Sequence, residues 1–357
     1  KIWIDILTPK QAFFGNKLSQ TLMKDHDVWM TSRDYPQVTQ MGKTLGIDVE
    51  IIGKHGGSTN ETKLSASIDR LRMLQSRVND VKPDVCISFL SPEAARISFG
   101  LNIPHLAESD SPHASHVCKL VVPLLDSLYT PSSISLDSWL QYGIKKEKIH
   151  RFRGLDPMVW LRDYKPNPDI LKKLGLTERD RIVTIRPEED QAAYVDRSTV
   201  SSIYPITKKL AGKFPDHKFV ILARYTNRMR IRKENNILNV EGIIDGPSLL
   251  HYSKLFIGGG GTMTQEAALM GIPSIGAHRS SIPEVFSGFL IPEGLVKWRT
   301  KPAEIEREAE TMLSITNNAR SAQKKKVDRL ISMMEDPIPR IAKAVQDMSV
   351  GHRKQNT

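Results

Sequence analysis

Short apolar, β-branched runs alternate with longer stretches whose apolar positions recur every three or four residues. The first pattern predicts strands and the second helices. Strands are expected at Ile2–Leu7, Val28–Ser32, Asp48–Ile52, Val85–Phe89, His105–Ala107, Ser127–Thr130 and Ile149–Phe152. A second series follows at Ile182–Ile185, Phe219–Ala223, Ile237–Val240, Lys254–Ile257, Pro273–Gly276 and Phe289–Ile291. Helices are expected between them, for example at Phe13–Lys24, Lys63–Asn79, Ser132–Tyr142 and Ser198–Lys213. Strand–helix alternation predicts parallel sheets covered on both faces, and two series predict two doubly wound α/β domains. The break falls in GLDPMVWLRDYKPNP (Gly154–Pro168), which has three prolines and little periodicity. The expected domains are residues 1–157 and 158–336, followed by a helix and basic tail over 337–357 that crosses back to the first domain. That helix is expected to reach Met348, with Ser349–Thr357 frayed. Ligands of such folds bind outside the carboxyl ends of the strands, so substrate is expected in a cleft between the facing domains.

One segment departs from ordinary patterning. LFIGGGGTMTQEAALMGIP (Leu255–Pro273) runs from a strand through four glycines into a helix that stops at Gly271. Glycine permits positive φ and close approach of a ligand to the backbone. The first helical turn offers unbonded N–H groups and partial positive charge, which suits phosphate. Glu266 lies about one turn into the helix, where its carboxylate is suited to the two hydroxyls of a ribose. The pattern therefore suggests a nucleotide diphosphate held by backbone, with its sugar gripped by Glu266. A tight turn using glycine only for packing is the alternative. GxxxxGK[ST] is absent, as is a spaced GxGxxG followed by an acid.

Composition narrows the class. The 357 residues exceed one ordinary core, and 39% hydrophobic with 25% charged residues is a globular balance. No apolar run approaches the ~20 residues of a membrane span. The chain opens on a strand and has two cysteines without a CxxC pair, so a cytoplasmic protein without a signal peptide or disulfides is expected. A net charge of +11 admits nucleic acid, anionic lipid or phosphorylated substrates as partners. No nucleic-acid-binding signature accompanies it, which leaves an anionic membrane surface or a solvated basic face.

The order of motifs resembles the archaeal and bacterial family known as domain of unknown function 354. That family is related to GT-B glycosyltransferases and to non-hydrolysing UDP-N-acetylglucosamine 2-epimerases. The resemblance covers nearly the whole chain. It is carried by KIWIDILTPKQAFFGNKL, PDVCISFLSPEAARISFGLNIPHLAESD, IVTIRPEEDQAAY and GGGGTMTQEAALMGIP. It implies a GT-B-like fold whose second domain binds a nucleotide-sugar donor. Gly259, Gly260, Gly261 and Thr262 would contact phosphate, and Glu266 the ribose. Arg224, after the strand ending at Ala223, would reach the diphosphate, with a solvated surface arginine as the alternative. The base would be read by the backbone of Glu241–Ile244, so uracil rests on analogy alone.

The two related activities ask for different residues. Epimerases of the related family use several carboxylates and a histidine. Glu108 in HLAESD falls on the glutamate of their H-x-E-A segment. Their aspartate falls at about Ser91, their second glutamate near Ala114 or Ser115, and their histidine on Arg186, with Glu93 or Asp110 as substitutes. One of four is retained, which weakens the epimerase reading. A GT-B transferase needs at most one base plus cationic or helix-dipole stabilisation of the leaving diphosphate, and no metal is obligatory. The cluster ESDSPHASH offers Glu108, Asp110 and His113 as candidate catalytic residues, with His116 beside them. The bland reading there is capping, with Asp110 or Ser111 at the N-cap, Pro112 at N1 and both histidines on a solvated face. A metal on Asp110, His113 and His116 is a remoter alternative. Lys10 sits in the first strand-to-helix loop, and Arg186 is a phosphate-binding candidate at another strand end. Glu188 or Tyr194 and His278–Ser281 are weaker candidates for sugar contacts. The expectation is a glycosyltransferase using a nucleotide diphosphate sugar, most simply a UDP-sugar, on a cell-envelope or lipid-linked acceptor. A peripheral site on the inner membrane face would then be accessible to it. A 2-epimerase-like enzyme and a non-catalytic nucleotide-sugar-binding protein are the alternatives.

Overall fold

A computed structural model describes the chain apart from residues 188–202, 224–235, 243, 278–283, 315–316 and 357. Its contacts divide it into two units, one of Lys1–Trp160 with Glu335–Thr357 and one drawn from Leu161–Met334.

The first unit carries a wholly parallel seven-stranded sheet. Its strands are β1 (Ile2–Asp5), β2 (Val28–Asp34), β3 (Glu50–Lys54), β4 (Val85–Ser88), β5 (His105–Glu108), β6 (Ser127–Pro131) and β7 (Ile149–Phe152). Their order is β3-β2-β1-β4-β5-β6-β7. Every residue of β1, β4, β5 and β6 is buried, as a sheet covered on both faces requires. The Pro9–Leu22 helix starts where Thr8 Oγ1 accepts from the Gln11 amide and Pro9 presets the first turn. The Asn60–Val81 helix is capped by Thr59 and stops at Lys82, whose φ of 51° is left-handed. The final helix, Ile338–Asn356, packs on β4 and on the Pro9–Leu22 helix. Ile341, Ala342, Val345 and Ser349 are buried at helical spacing, so the element runs on through the tail expected to fray.

The second unit has six parallel strands, β8 (Arg181–Arg186), β9 (His217–Leu222), β10 (Ile237–Val240), β11 (Ser253–Gly258), β12 (Ser274–Gly276) and β13 (Val296–Trp298). They lie in the order β10-β9-β8-β11-β12-β13. Both sheets reverse their winding once, between β1 and β4 and between β8 and β11. These are the switch points outside which α/β proteins hold ligands. Val183, Ile185, Phe219, Ile221, Leu255 and Ile257 centre the core on one face, closed by helices that include Ile203–Lys213.

Three expectations need correction. The last strand is Val296–Trp298, not Phe289–Ile291. Leu290 is buried inside a turn whose carbonyl takes the amides of Leu295 (2.9 Å) and Val296 (3.3 Å), and Gly294 (φ 70°) lets the chain double back. The Ser132–Tyr142 helix shrinks to Asp137–Leu140. Ser135 Oγ accepts from the Ser138 amide (3.2 Å) and bonds Ser138 Oγ (2.8 Å), a local serine turn that starts the helix late, and Gly143 (φ 86°) ends the segment. The helix after ESDSP begins at Ser115, with Ala114 at its N-cap and no side-chain cap. Of the Ser198–Lys213 helix, residues 203–213 are observed and 198–202 lie outside the described residues.

Candidate functional site

In the first unit, three loops at carboxyl strand ends bring ionisable side chains together. β1 leads through Thr8-Pro9 to Lys10, β5 ends at Glu108 and continues to Asp110, and the segment after β7 supplies Asp156. Lys10 Nζ lies 2.6 Å from Asp110 Oδ1 and 2.5 Å from Asp156 Oδ2. Asp156 is 0%, Glu108 1% and Asp110 8% exposed. Burial opposes charge on Lys10, but the carboxylates of Asp110 and Asp156 outweigh it and raise its pKa. The ammonium therefore stays charged.

Glu108 and Asp156 form a second kind of contact. Glu108 Oε1 and Asp156 Oδ1 are buried without a hydrogen-bond partner among the described residues, whereas Asp156 Oδ2 faces the Lys10 ammonium. The two carboxyls lie within hydrogen-bonding reach of each other. Two buried carboxylate oxygens in contact require a proton between them. Burial, then the charge of Asp156, pushes Glu108 well above the carboxylate range. Burial also raises Asp156, while Lys10 pulls it down. Of the pair, Glu108 is the one held towards its acid form, while Lys10 clamps Asp156 to Asp110. Asp156 was not anticipated. It lies in GLDPMVW, whose prolines marked it as connecting chain, and only its place just after a strand hinted at a role.

At the edge of this cluster, His113 is exposed. Despite that exposure, the surrounding protein and the charge of Lys10 lower its pKa, and Asp110 partly compensates. Its imidazole is neutral near pH 7. The turn presenting it is built by Ser111 N–H to Ser109 Oγ (3.1 Å), Ser111 Oγ to Asp110 Oδ1 (2.8 Å) and Tyr142 Oη to the Pro112 carbonyl (2.7 Å). Because the helix starts only at Ser115, neither Asp110 nor Ser111 is its cap, and Asp110 is left to Lys10. Ser91 instead caps the Pro92–Gly100 helix, and Glu93 binds Arg70 and Ser67 away from the Lys10 cluster. Among the described residues, no group of three or more His, Cys, Asp or Glu side chains is arranged for a metal.

In the second unit, β11 delivers the glycine turn beside β8. Gly258 pairs in register with Arg186, and the Gly259 amide donates to the Arg186 carbonyl (2.9 Å). None of the four glycines takes a positive φ. Gly258 is required by packing, since a Cβ there would lie 2.4 Å from Phe256 Cε1 and 3.0 Å from Thr264 Oγ1. At Gly261 a Cβ would meet nothing within 4 Å. Gly260 is the N-cap of the Gly261–Leu269 helix and supplies no side-chain acceptor, so Gly261, Thr262 and Met263 begin a helix whose first amides are uncapped by side chains. Glu266 is buried, one turn after Thr262.

Arg186 is half-buried and sends Nη1 to the carbonyls of Leu222 (3.0 Å) and Ala223 (3.4 Å), fixing its guanidinium at the end of β9. Asp245 caps the Gly246–Tyr252 helix, accepting from the Ser248 amide (3.2 Å), and a Cβ at Gly246 would lie 3.4 Å from Met263 Cε. Tyr164 bonds Asp245 and Ser248 and feels the charge of Glu266. This aromatic was missed because it, too, sits in the proline-rich segment. Arg224, Glu188, Tyr194, Ile243 and His278–Ser281 lie outside the described residues.

The model of the family described as "Protein of unknown function (DUF354)" matches residues 1–346, and the chain belongs to that family. An uncharacterized protein of Methanocaldococcus jannaschii, MJ0665, is 29% identical over 283 residues, covering 78% of this chain and 81% of the relative. Among solved structures, UDP-GlcNAc 2-epimerase from Neisseria meningitidis bound to UDP-GlcNAc superposes with a TM-score of 0.74 at 16% identity, over 98% of this chain and 99% of that one. The glycotransferase of kitacinnamycin gives 0.62 at 12% identity, over 97% and 98%. The fold is therefore the GT-B-type α/β fold shared by these epimerases and glycosyltransferases.

Proposed function

We propose that this chain is a nucleotide-diphosphate-sugar enzyme that transfers a sugar, from a UDP-sugar in the simplest case, to an acceptor hydroxyl. The observation that carries the reading is His113, presented at the edge of the cluster with Asp110 near it, while Lys10, Asp110 and Asp156 are held in ion pairs. In transfer, the acceptor oxygen bonds the anomeric carbon while the bond from that carbon to the diphosphate oxygen breaks. The hydroxyl proton passes to His113, and Asp110 stabilises the imidazolium so formed. The diphosphate leaves with the bonding pair, its charge met by the amides of Gly261–Met263, while Glu266 holds the ribose. An anionic, lipid-linked acceptor agrees with the net charge of +11. No helix among the described residues is long and apolar enough to cross a membrane.

A second reading rests on Glu108. A carboxylic acid kept protonated by Asp156 is a proton donor, as elimination and return of a diphosphate in 2-epimerisation would need. The two separate on substrate dependence. Transfer releases free UDP only with an acceptor, whereas epimerisation converts the donor alone and exchanges its C2 hydrogen with deuterated solvent. For the transferase, His113→Ala is expected to lower kcat about 10²–10⁴-fold. The acid limb of kcat/KM in the wild type should fall below the ordinary histidine value of about 6.5. Unchanged turnover in His113→Ala, with donor conversion lost in Glu108→Gln, would transfer the assignment to the epimerase.

A further inference from the structure

Arg33 stands at the carboxyl end of β2, where the register with β3 slips between Ser32 and Asp34. Such irregularities re-aim a side chain out of the regular ladder. Its guanidinium is only partly exposed, and Nε is buried without any partner. Among the described residues, no hydrogen bond or ion pair reaches this guanidinium.

The neighbouring carboxylates are close enough to be felt but are already taken. Asp5 Oδ1 accepts from Thr31 Oγ1 (2.7 Å) and Arg70 Nη2 (2.6 Å), and Asp5 Oδ2 from Arg70 Nη1 (3.2 Å). Glu93 Oε1 accepts from Ser67 Oγ (2.6 Å), and Oε2 from Arg70 Nη1 (3.3 Å) and Ser91 Oγ (3.4 Å). Arg70 therefore takes the guanidinium hydrogen bonds of both acids, and Arg33 feels their charge without bonding their oxygens, which leaves its own N–H donors unmet. Burial makes the charge on Arg33 costly, and Arg70 adds repulsion. Two residues on, Tyr35 stacks on His55 (4.7 Å between ring centroids, 21°).

A cation held partly out of water with its internal acids committed elsewhere needs an acceptor from outside. We propose that Arg33 is the anchor of an oxyanion subsite in the first unit, taking a phosphate group through its guanidinium fork. Planar guanidinium matches phosphate oxygens in pairs, and charge-assisted bonds of this kind are the strong ones. The subsite belongs to the first unit, and its test does not depend on the donor reading.

The test is the Arg33 Nε–H resonance of the full-length protein labelled with ¹⁵N-arginine, identified by its loss in Arg33→Lys. Inorganic phosphate is titrated in one sample, and phosphatidylglycerol or phosphatidylcholine vesicles in others. The expected result is a saturable shift with phosphate, or with phosphatidylglycerol and not phosphatidylcholine; the first assigns a soluble ligand and the second a lipid headgroup. Arg33→Gln should weaken that binding about tenfold or more, with no fall in melting temperature. A resonance unmoved by either phosphate source overturns the proposal, as does an Arg33→Gln variant whose melting temperature drops. A UDP titration of the same sample tests the donor site separately.

Discussion

At the residue scale, buried polar groups decide both chemistry and stability. His105 is 1% exposed and bonds Ser88 Oγ at 2.8 Å through Nε2, while its Nδ1 has no partner. Burial pushes its pKa down to about 4. In the unfolded chain it protonates near 6.5, so between those values the unfolded state binds more protons and stability falls as pH falls. The shift corresponds to about 3 kcal/mol, fully present above pH 6.5 and lost as pH drops through 4. Unfolding followed across this window should show that loss in the wild type and not in His105→Gln; equal pH dependence in the two would refute it. Glu108, Asp110 and His113 stood out in the sequence as candidates because they crowd one short loop after a strand. Asp156, Tyr164 and the isolation of Arg33 were not. Each depends on a contact between segments far apart in the chain, which no local spacing encodes.

At the element scale, the glycine turn serves two purposes at different positions. Gly258 lets β11 end against the Phe256 ring, and Gly261 opens a helix with space in front of it. Gly258→Ala should therefore destabilise the chain by about 1–3 kcal/mol through overpacking, and weaken nucleotide binding only as a consequence. Gly261→Ala should leave the melting temperature nearly unchanged and weaken diphosphate binding directly. A thermal melt paired with a UDP titration of each variant separates the two, and equal behaviour would contradict the division. The strand–helix alternation was readable because apolar runs of fully buried strands stand out. The last strand was not, since the Phe289–Ile291 run is apolar for burial inside a turn, and a short run does not distinguish the two uses. The Ser132–Tyr142 stretch failed for a related reason. Its serines bond one another and the backbone, which a periodicity count does not see.

At the scale of the whole molecule, the proposed acid–base groups belong to the unit containing Lys10, Glu108, Asp110, His113 and Asp156, and the proposed donor site to the unit containing the glycine turn and Glu266. Both sheets share one pattern of strand order and place these groups at carboxyl strand ends, so the topology offers two candidate edges in one chain. The two doubly wound sheets were anticipated from the double series of strands. The identity of the base and acceptor was not, because backbone readout leaves almost no side-chain signature. The most direct measurement is calorimetric titration of UDP, UDP-GlcNAc and the matching GDP and dTDP compounds into wild type, Glu266→Gln and Glu266→Ala, with each variant's fold checked by its melting temperature. The account predicts binding of one diphosphate series, weakened more than about tenfold in both folded variants. Absence of binding by every nucleotide to the wild type would contradict it.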